Sequence, residues 1–282
     1  MQYPLSEEIG APELFVGRKK EFAMLDEWIE QIPKRLGKSK ALFSRKKGGK
    51  TSLIQRLFNR LWSDNGPVIP IFFSIPERSI WLPDFAIDYY RVFVSQYISF
   101  LERNEDYVNN PLTINEIREY AIKHAIHIIV SDIDSFEYNQ KQDYLDSIWT
   151  TACSAPKRFA AVLKQRFLVM IDEFQFLSQY ITIDPQKKLP YKSLPGSYHQ
   201  LSESKIAPML ITGSYTHWLN TIIGDHLEGG RVTKHYFSPY LTKDEGLCAV
   251  KIYSECYNVK TTKETQKQIN TLCHCDPFLF PA

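Results

Sequence analysis

Two short stretches carry residue types in spacings that can do chemistry. The first is Gly48-Gly49-Lys50-Thr51-Ser52, and the second is Asp172-Glu173, about 120 residues later. Paired glycines let a backbone curl until its N–H groups point inward at phosphate oxygens. Lys50 offers a mobile point charge for the outer phosphates, and the Thr51 hydroxyl is a hard oxygen ligand for Mg2+. Asp172 would hold the same Mg2+ through water, and Glu173 would polarise a water attacking the terminal phosphate. Gly-Lys-Thr alone is a weak signal, and Asp-Glu alone reads as a solvated acidic turn. Together they fit one site. Ser44 and Lys47 complete the loop. Ser44 stands where the full pattern begins with glycine, a place an L-residue fills only if its φ suits.

The elements that must position these residues are legible around them. Ala41-Leu-Phe43 reads as a buried strand. After the basic glycine turn, residues 51–62 form a helix with Leu53, Ile54, Leu57, Phe58 and Leu61 at helical spacing. The helix start adds its dipole and unpaired N–H groups to the phosphate site. Phe167 to Ile171 is a five-residue apolar run that reads as a central parallel strand delivering both acids at its carboxyl end. Val68 to Ile75 and Ile206 to Ser214 read as two more buried strands. Thr212 or Ser214 would meet the terminal phosphate or the attacking water; a plain strand-end turn is the competing reading. Val232 to Phe237 reads as a further strand. Gly229-Gly230-Arg231 before it would present a charge to the transferring phosphate, in this subunit or a neighbour, or leave an arginine in solvent.

Elsewhere, residues 1–13 read as an extended lead-in, and a helix is expected from Phe15-Val-Gly-Arg18 to about Leu36. Residues 81–103 read as helical. Thr113 and Glu116 form a capping box for a helix through about Val130, and 131–165 read as irregular and then helical. Residues 181–196, with three prolines, read as a loop. Capping boxes at Thr242/Glu245 and Thr261/Glu264 start two last helices.

Composition sets outer bounds. At 282 residues the chain can bury a full core, as one large domain or one plus a smaller one. The net charge of +2 says little about partners. The acidic N-terminus shows no secretory signal, and the apolar runs are too short to span a bilayer. Five cysteines, an odd count, read as reduced thiols in a cytoplasm. Cys273-His-Cys275 lacks the second pair that a zinc site needs. The basic stretch 34–50 leaves nucleic-acid contact open beside a solvated face.

Taken together, the chain resembles the archaeal-type ATPases of the AAA-related and STAND P-loop superfamily. Phe15-Val-Gly-Arg18, Gly49-Lys-Thr-Ser52, Ile171-Asp-Glu-Phe-Gln175, Gly213-Ser214, Gly230-Arg231 and Asp276-Pro277 carry the resemblance. It implies a three-layer αβα sandwich, with about five parallel strands and the phosphate strand at the centre. It also implies a nucleotide-binding domain over 1–239 and a small helical lid over 240–282. Val16, Gly17 and Arg18 would border the adenine, Ser214 would act as a polar sensor, and Pro277 would pack near the base. Cys275 stands where the family has a glycine-containing turn. Family members continue into an effector region, so a fragment, or a chain whose output lies in a partner, is expected.

The first functional reading is a Mg2+-dependent ATPase acting as a switch or motor-like module. The second is a module that holds ATP or ADP with little turnover and gates a partner, with homo-oligomers open. Nucleic-acid binding through 34–50 comes third. A small-molecule kinase is a remote fourth, because Asp172-Glu173 favours water as the nucleophile.

Overall fold

A computed structural model describes residues 1–227 and 229–280. The chain begins with α1 (Lys19–Ile29), β1 (Ser39–Phe43), α2 (Lys50–Asp64), β2 (Ile69–Ser74) and β3 (Ile80–Trp81). A helical stretch follows: α3 (Leu82–Glu102), α4 (Asp106–Asn109), α5 (Ile114–Lys123), α6 (His127–Lys141) and α7 (Leu145–Val162). Next come β4 (Phe167–Asp172), α8 (Leu177–Tyr180), β5 (Ile181–Thr182), α9 (His199–Ser202) and β6 (Met209–Thr212). The last elements are α10 (Thr216–His226), β7 (Val232–Tyr236), α11 (Lys243–Cys256) and α12 (Lys263–Leu272).

The main sheet runs β2-β4-β6-β1-β7 and is parallel throughout. Its inner strands are apolar because helices cover both faces, and every residue of β4 and β6 is buried. The phosphate strand β1 is not central, as the resemblance implied. Only β7 lies beyond it, so β6 takes the middle. The β2 edge is closed by a side chain. The Gln96 amide accepts from Phe72 N at 2.7 Å and donates to Phe72 O at 2.9 Å, as a neighbouring strand would. On the helical side, Arg158 donates both Nη atoms to the buried Asp132 carboxylate, at 2.7 and 2.9 Å, and so ties α7 to α6.

Register matters most for the site. Ser74 pairs with Asp172, Ile171 with Ile211, Leu42 with Thr212, and Phe43 with Tyr236. All five carboxyl ends therefore lie along one edge, where ligands of open parallel sheets bind.

Several local expectations need correction. The first helix stops at Ile29, and tight turns lead through Pro33 to Arg35, whose φ is +60°. The helix expected over 113–130 is two, α5 and α6, parted at Ala125 with φ +54°. Most of 131–165 is regular helix rather than irregular chain. The loop at 181–196 opens with β5, which pairs in parallel with β3, and folds back so that Tyr191 N donates to Ile181 O at 2.7 Å. The boxes at Thr113/Glu116 and Thr242/Glu245 form as expected. The third cap shifts by one residue, Thr262 accepting from Thr265 N.

α11 and α12 pack on each other. Leu241, Ala249 and Tyr253 form a small apolar cluster with Leu14, Val16, Cys275 and Phe280. Among the described residues no helix is long and apolar enough to cross a membrane.

Candidate functional site

β1 ends at Phe43 and the chain turns at once. Ser44 enters the loop without a positive φ, so an L-residue fits where the pattern has glycine. Lys47 (φ +63°) and Gly49 (φ +79°) take the left-handed turns that curl the loop. Gly48 lies against Ser44, whose Oγ a β-carbon on Gly48 would strike. Gly49 is then the N-cap of α2, and no side chain caps that helix. Gly49, Lys50, Thr51 and Ser52 line the cleft, so the first-turn N–H groups of α2 open onto it, as an anion site requires.

Lys50 is buried at 6% exposure and donates through Nζ to Ser44 O and Arg45 O, both at 2.9 Å. Burial pulls its ammonium below the ordinary value, against the opposing pull of Asp172 and Glu173. In the first turn of the helix, Thr51 Oγ1 donates to Asp172 Oδ2 at 2.6 Å. The two stretches singled out in the sequence therefore meet directly.

Asp172 is 2% exposed, and its Oδ1 accepts from Glu173 N at 2.9 Å and from Thr212 Oγ1. Burial pushes its carboxyl above the ordinary range, although the threonine hydroxyls favour the ionised form. Glu173 turns out of the strand with φ +54°. Ser214 N donates to Glu173 Oε2 at 3.0 Å, and Ser214 Oγ donates to Oε1. The alternatives at the end of β6 thus separate: Thr212 serves Asp172, and Ser214 serves Glu173.

The raised carboxyl of Asp172 has a consequence for stability. An acid whose folded-state pKa exceeds its unfolded one binds its proton more tightly when folded, so ionising it disfavours the fold as pH rises above the ordinary 3.8. The neutral amide of Asp172→Asn removes that penalty. Its Oδ1 would still accept from Glu173 N and Thr212 Oγ1, and its Nδ2 would donate to the Thr51 hydroxyl, which can turn to accept. Asp172→Asn is therefore expected to raise the thermal midpoint of the nucleotide-free protein by a few degrees near neutral pH. The gap should close as the pH falls toward about 4. Melting curves across pH read this directly, and a variant less stable at neutral pH would contradict it.

The cleft over these groups has a volume of about 710 Å3. Lys47, Gly48, Gly49, Lys50, Thr51, Ser52, Asp172, Glu173 and Ser214 line its polar part. Leu14, Phe15, Val16, Leu241, Ala249, Tyr253, Pro277 and Phe280 supply the apolar wall. A triphosphate joined to a flat base matches that division. Arg18 also lines the cleft, but three carbonyls engage its guanidinium: Ser238 O at 2.6 Å, Gly48 O at 2.9 Å and Pro239 O at 3.0 Å. It braces the phosphate loop against the chain leading to α11. Gly17, with φ +80°, lies against Leu241 and Glu245 at the start of α11.

The residues suit Mg2+, which takes oxygen ligands and relies on few protein groups when phosphates supply the rest. The Thr51 hydroxyl and the buried Asp172 carboxylate, already in contact, would hold it. Burial disfavours the ionised form of that carboxyl, and a cation beside it would offset the cost.

The sequence matches no family model and no curated protein. Among solved structures, the Walker-type ATPase PABY2304 of Pyrococcus abyssi is similar over 100% of this chain and 69% of its own, at 15% identity and a TM-score of 0.61. The fold is that of the P-loop NTPases. The ORC2 protein of Aeropyrum pernix in its ADP form is similar at 13% identity and TM-score 0.48 over 95% of this chain and 60% of its own. Cdc6p of Pyrobaculum aerophilum follows at 12% and 0.46, over 94% and 58%.

Of the expected site residues, Gly17 and Ser44 support the cleft without lining it, and Arg231 lies elsewhere. Arg231 precedes β7, whose first residue pairs with Ser39 at the start of β1, whereas the phosphate loop leaves the end of β1. Its Nε donates to Glu203 Oε1 at 2.7 Å. Arg231 therefore sits at the far end of the sheet from the phosphate loop of its own chain.

Other residues at the site escaped the sequence reading. Glu8 lines the cleft because α2 binds the lead-in, with Glu8 N donating to Gln55 Oε1 at 2.9 Å and Arg56 paired to Glu7. Burial, then Asp172 and Glu173, raise the Glu8 carboxyl. Arg45 pairs with Asp276 just beyond α12, and Lys47 lies 3.9 Å over the Phe278 ring, so the loop is tied to the C-terminal segment. No periodicity signals such contacts. Gln175 stood in the quoted motif without a role.

Proposed function

We propose that the chain binds ATP or ADP with Mg2+ and hydrolyses ATP, using the change at the terminal phosphate as a conformational switch. The observation that carries this is the 2.6 Å contact between Thr51 and Asp172, which joins the loop to the acids. In this reading Lys50 and the α2 N–H groups bind the outer phosphates. The apolar wall takes the base. Bound Mg2+ would neutralise charge on the triphosphate. Glu173, steadied by Ser214, orients the attacking water and accepts its proton, while Lys50 spreads the charge that develops. Residues 1–239 form the nucleotide-binding domain and 240–282 the lid. Phosphate release from ATP, measured with Mg2+ and with EDTA, tests the proposal. Release only with Mg2+ supports it; equal release in both conditions, or none, counts against it.

Arg231 has no part in this chemistry within one chain. Arg231→Ala should leave phosphate release by the dilute protein within about twofold of wild type. A fall of about a thousandfold, the scale of a lost arginine finger, would place Arg231 at a neighbour's phosphate instead.

One observation favours the gating reading as well. The phosphate loop reaches the lid through the Arg45–Asp276 pair. A nucleotide entering the cleft would meet the loop and the C-terminal segment together, so its binding would bias the lid, with or without fast turnover. ADP copurifying with protein that turns over no ATP would favour this reading.

A further inference from the structure

Gln175 lies in the short 3-10 turn Phe174–Phe176, directly after Glu173. Its side chain is fully buried, and its Nε2 donates to Glu173 Oε2. The orientation follows from chemistry, because only the amide N–H2, not the carbonyl, can face a carboxylate oxygen. Its Oε1 is then left buried without a hydrogen-bond partner among the described residues. That oxygen presses on Gly213, where any added β-carbon would collide with it. A buried carbonyl with no donor disfavours folding, and an apolar side chain of the same length would avoid the penalty. The amide is thus a poor choice for the core, at a place where it touches the acid beside the phosphate site.

Glu173 receives three donors: Ser214 N, Ser214 Oγ and Gln175 Nε2. A carboxylate has about four lone-pair positions, so one is left over. Glu173 and Ser214 line the cleft; Gln175 and Gly213 do not. The terminal torsion of a glutamate is otherwise broad, so a carboxylate with fewer donors samples many orientations.

We propose that Gln175, backed by Gly213, is a positioning residue that fixes the rotation of the Glu173 carboxylate so that its remaining lone pair faces the nucleophilic water. This rests on the reading of Glu173 as the group that orients that water. Gln175 does not line the cleft, and acts only through Glu173.

The test compares wild type, Gln175→Met, Glu173→Gln and the double variant by kcat, KM for ATP and thermal midpoint. Gln175→Met should keep or raise the midpoint, lower kcat about tenfold and leave KM within about twofold. In the Glu173→Gln background the same change should add no further loss, because its route of action is already gone. Gln175→Leu, which removes the amide without adding bulk against Gly213, should reproduce both results if Gln175→Met folds poorly. Wild-type kcat in Gln175→Met and Gln175→Leu, or an equal loss in both backgrounds, overturns this inference and leaves Glu173 in its role. Failure of wild type to release phosphate, or full activity in Glu173→Gln, overturns the functional reading and this inference with it.

Discussion

Glu173→Gln should lower phosphate release by about 100- to 1000-fold while ATP still binds with nearly unchanged affinity. The amide fits the same hydrogen bonds. Its carbonyl can sit at the Oε2 position and accept from Ser214 N and Gln175 Nε2. Its N–H2 then meets the Ser214 hydroxyl, which can turn to accept. The fold is therefore preserved, and the thermal midpoint should not fall. What is lost is an oxygen able to take a proton from water. Lys50, Thr51 and the α2 terminus, which bind phosphates, are untouched. Single-turnover phosphate release and equilibrium binding separate the two effects. Activity within about tenfold of wild type would remove Glu173 from the chemistry.

Lys50→Ala should act on the other quantity. Nucleotide affinity is expected to fall about 100-fold, or roughly 2.8 kcal/mol at 1.4 kcal/mol per decade. The Lys50 ammonium is buried with two loop carbonyls as its partners, and burial already disfavours its charge. Asp172 and Glu173 only partly offset that cost, and a triphosphate supplies further negative charge, so much of the binding energy gathers on one side chain. The nucleotide-free variant should be about as stable as wild type, because a disfavoured buried charge leaves together with its two hydrogen bonds. Competition binding with a fluorescent nucleotide gives the affinity. A change within about threefold would mean that the loop binds phosphates through its backbone alone.

The chemical part of this site was legible in the sequence because its signals are local. Gly-Lys-Thr follows a largely buried strand and opens α2, and Asp-Glu closes β4. Parallel pairing then forces both strand ends to one edge. Arg231 lies away from the phosphate loop of its own chain for the same geometric reason, which leaves the neighbour's phosphate and solvent of the places the sequence allowed. A residue that precedes a parallel strand lies at the opposite end of the sheet from one that follows a neighbouring strand, and glycines before an arginine carry no information about that. The break at Ala125 has no glycine or proline to announce it. The phosphate strand is off-centre because only β7 adds beyond β1, while β6, β4 and β2 lie on its other side. Glu8 could not be found from periodicity. Gln55 and Asn59 read as part of the polar face of α2, and only the fold shows both buried where they hold the N-terminal segment.

Calorimetric titration of the wild-type chain with ATP, in Mg2+ and again in EDTA, tests the central claim most directly. A triphosphate held by Lys50, with Mg2+ beside Thr51 and Asp172, predicts saturable one-to-one binding at about micromolar ATP that weakens when the metal is removed. No binding of ATP or ADP at millimolar concentration, in either buffer, would contradict it.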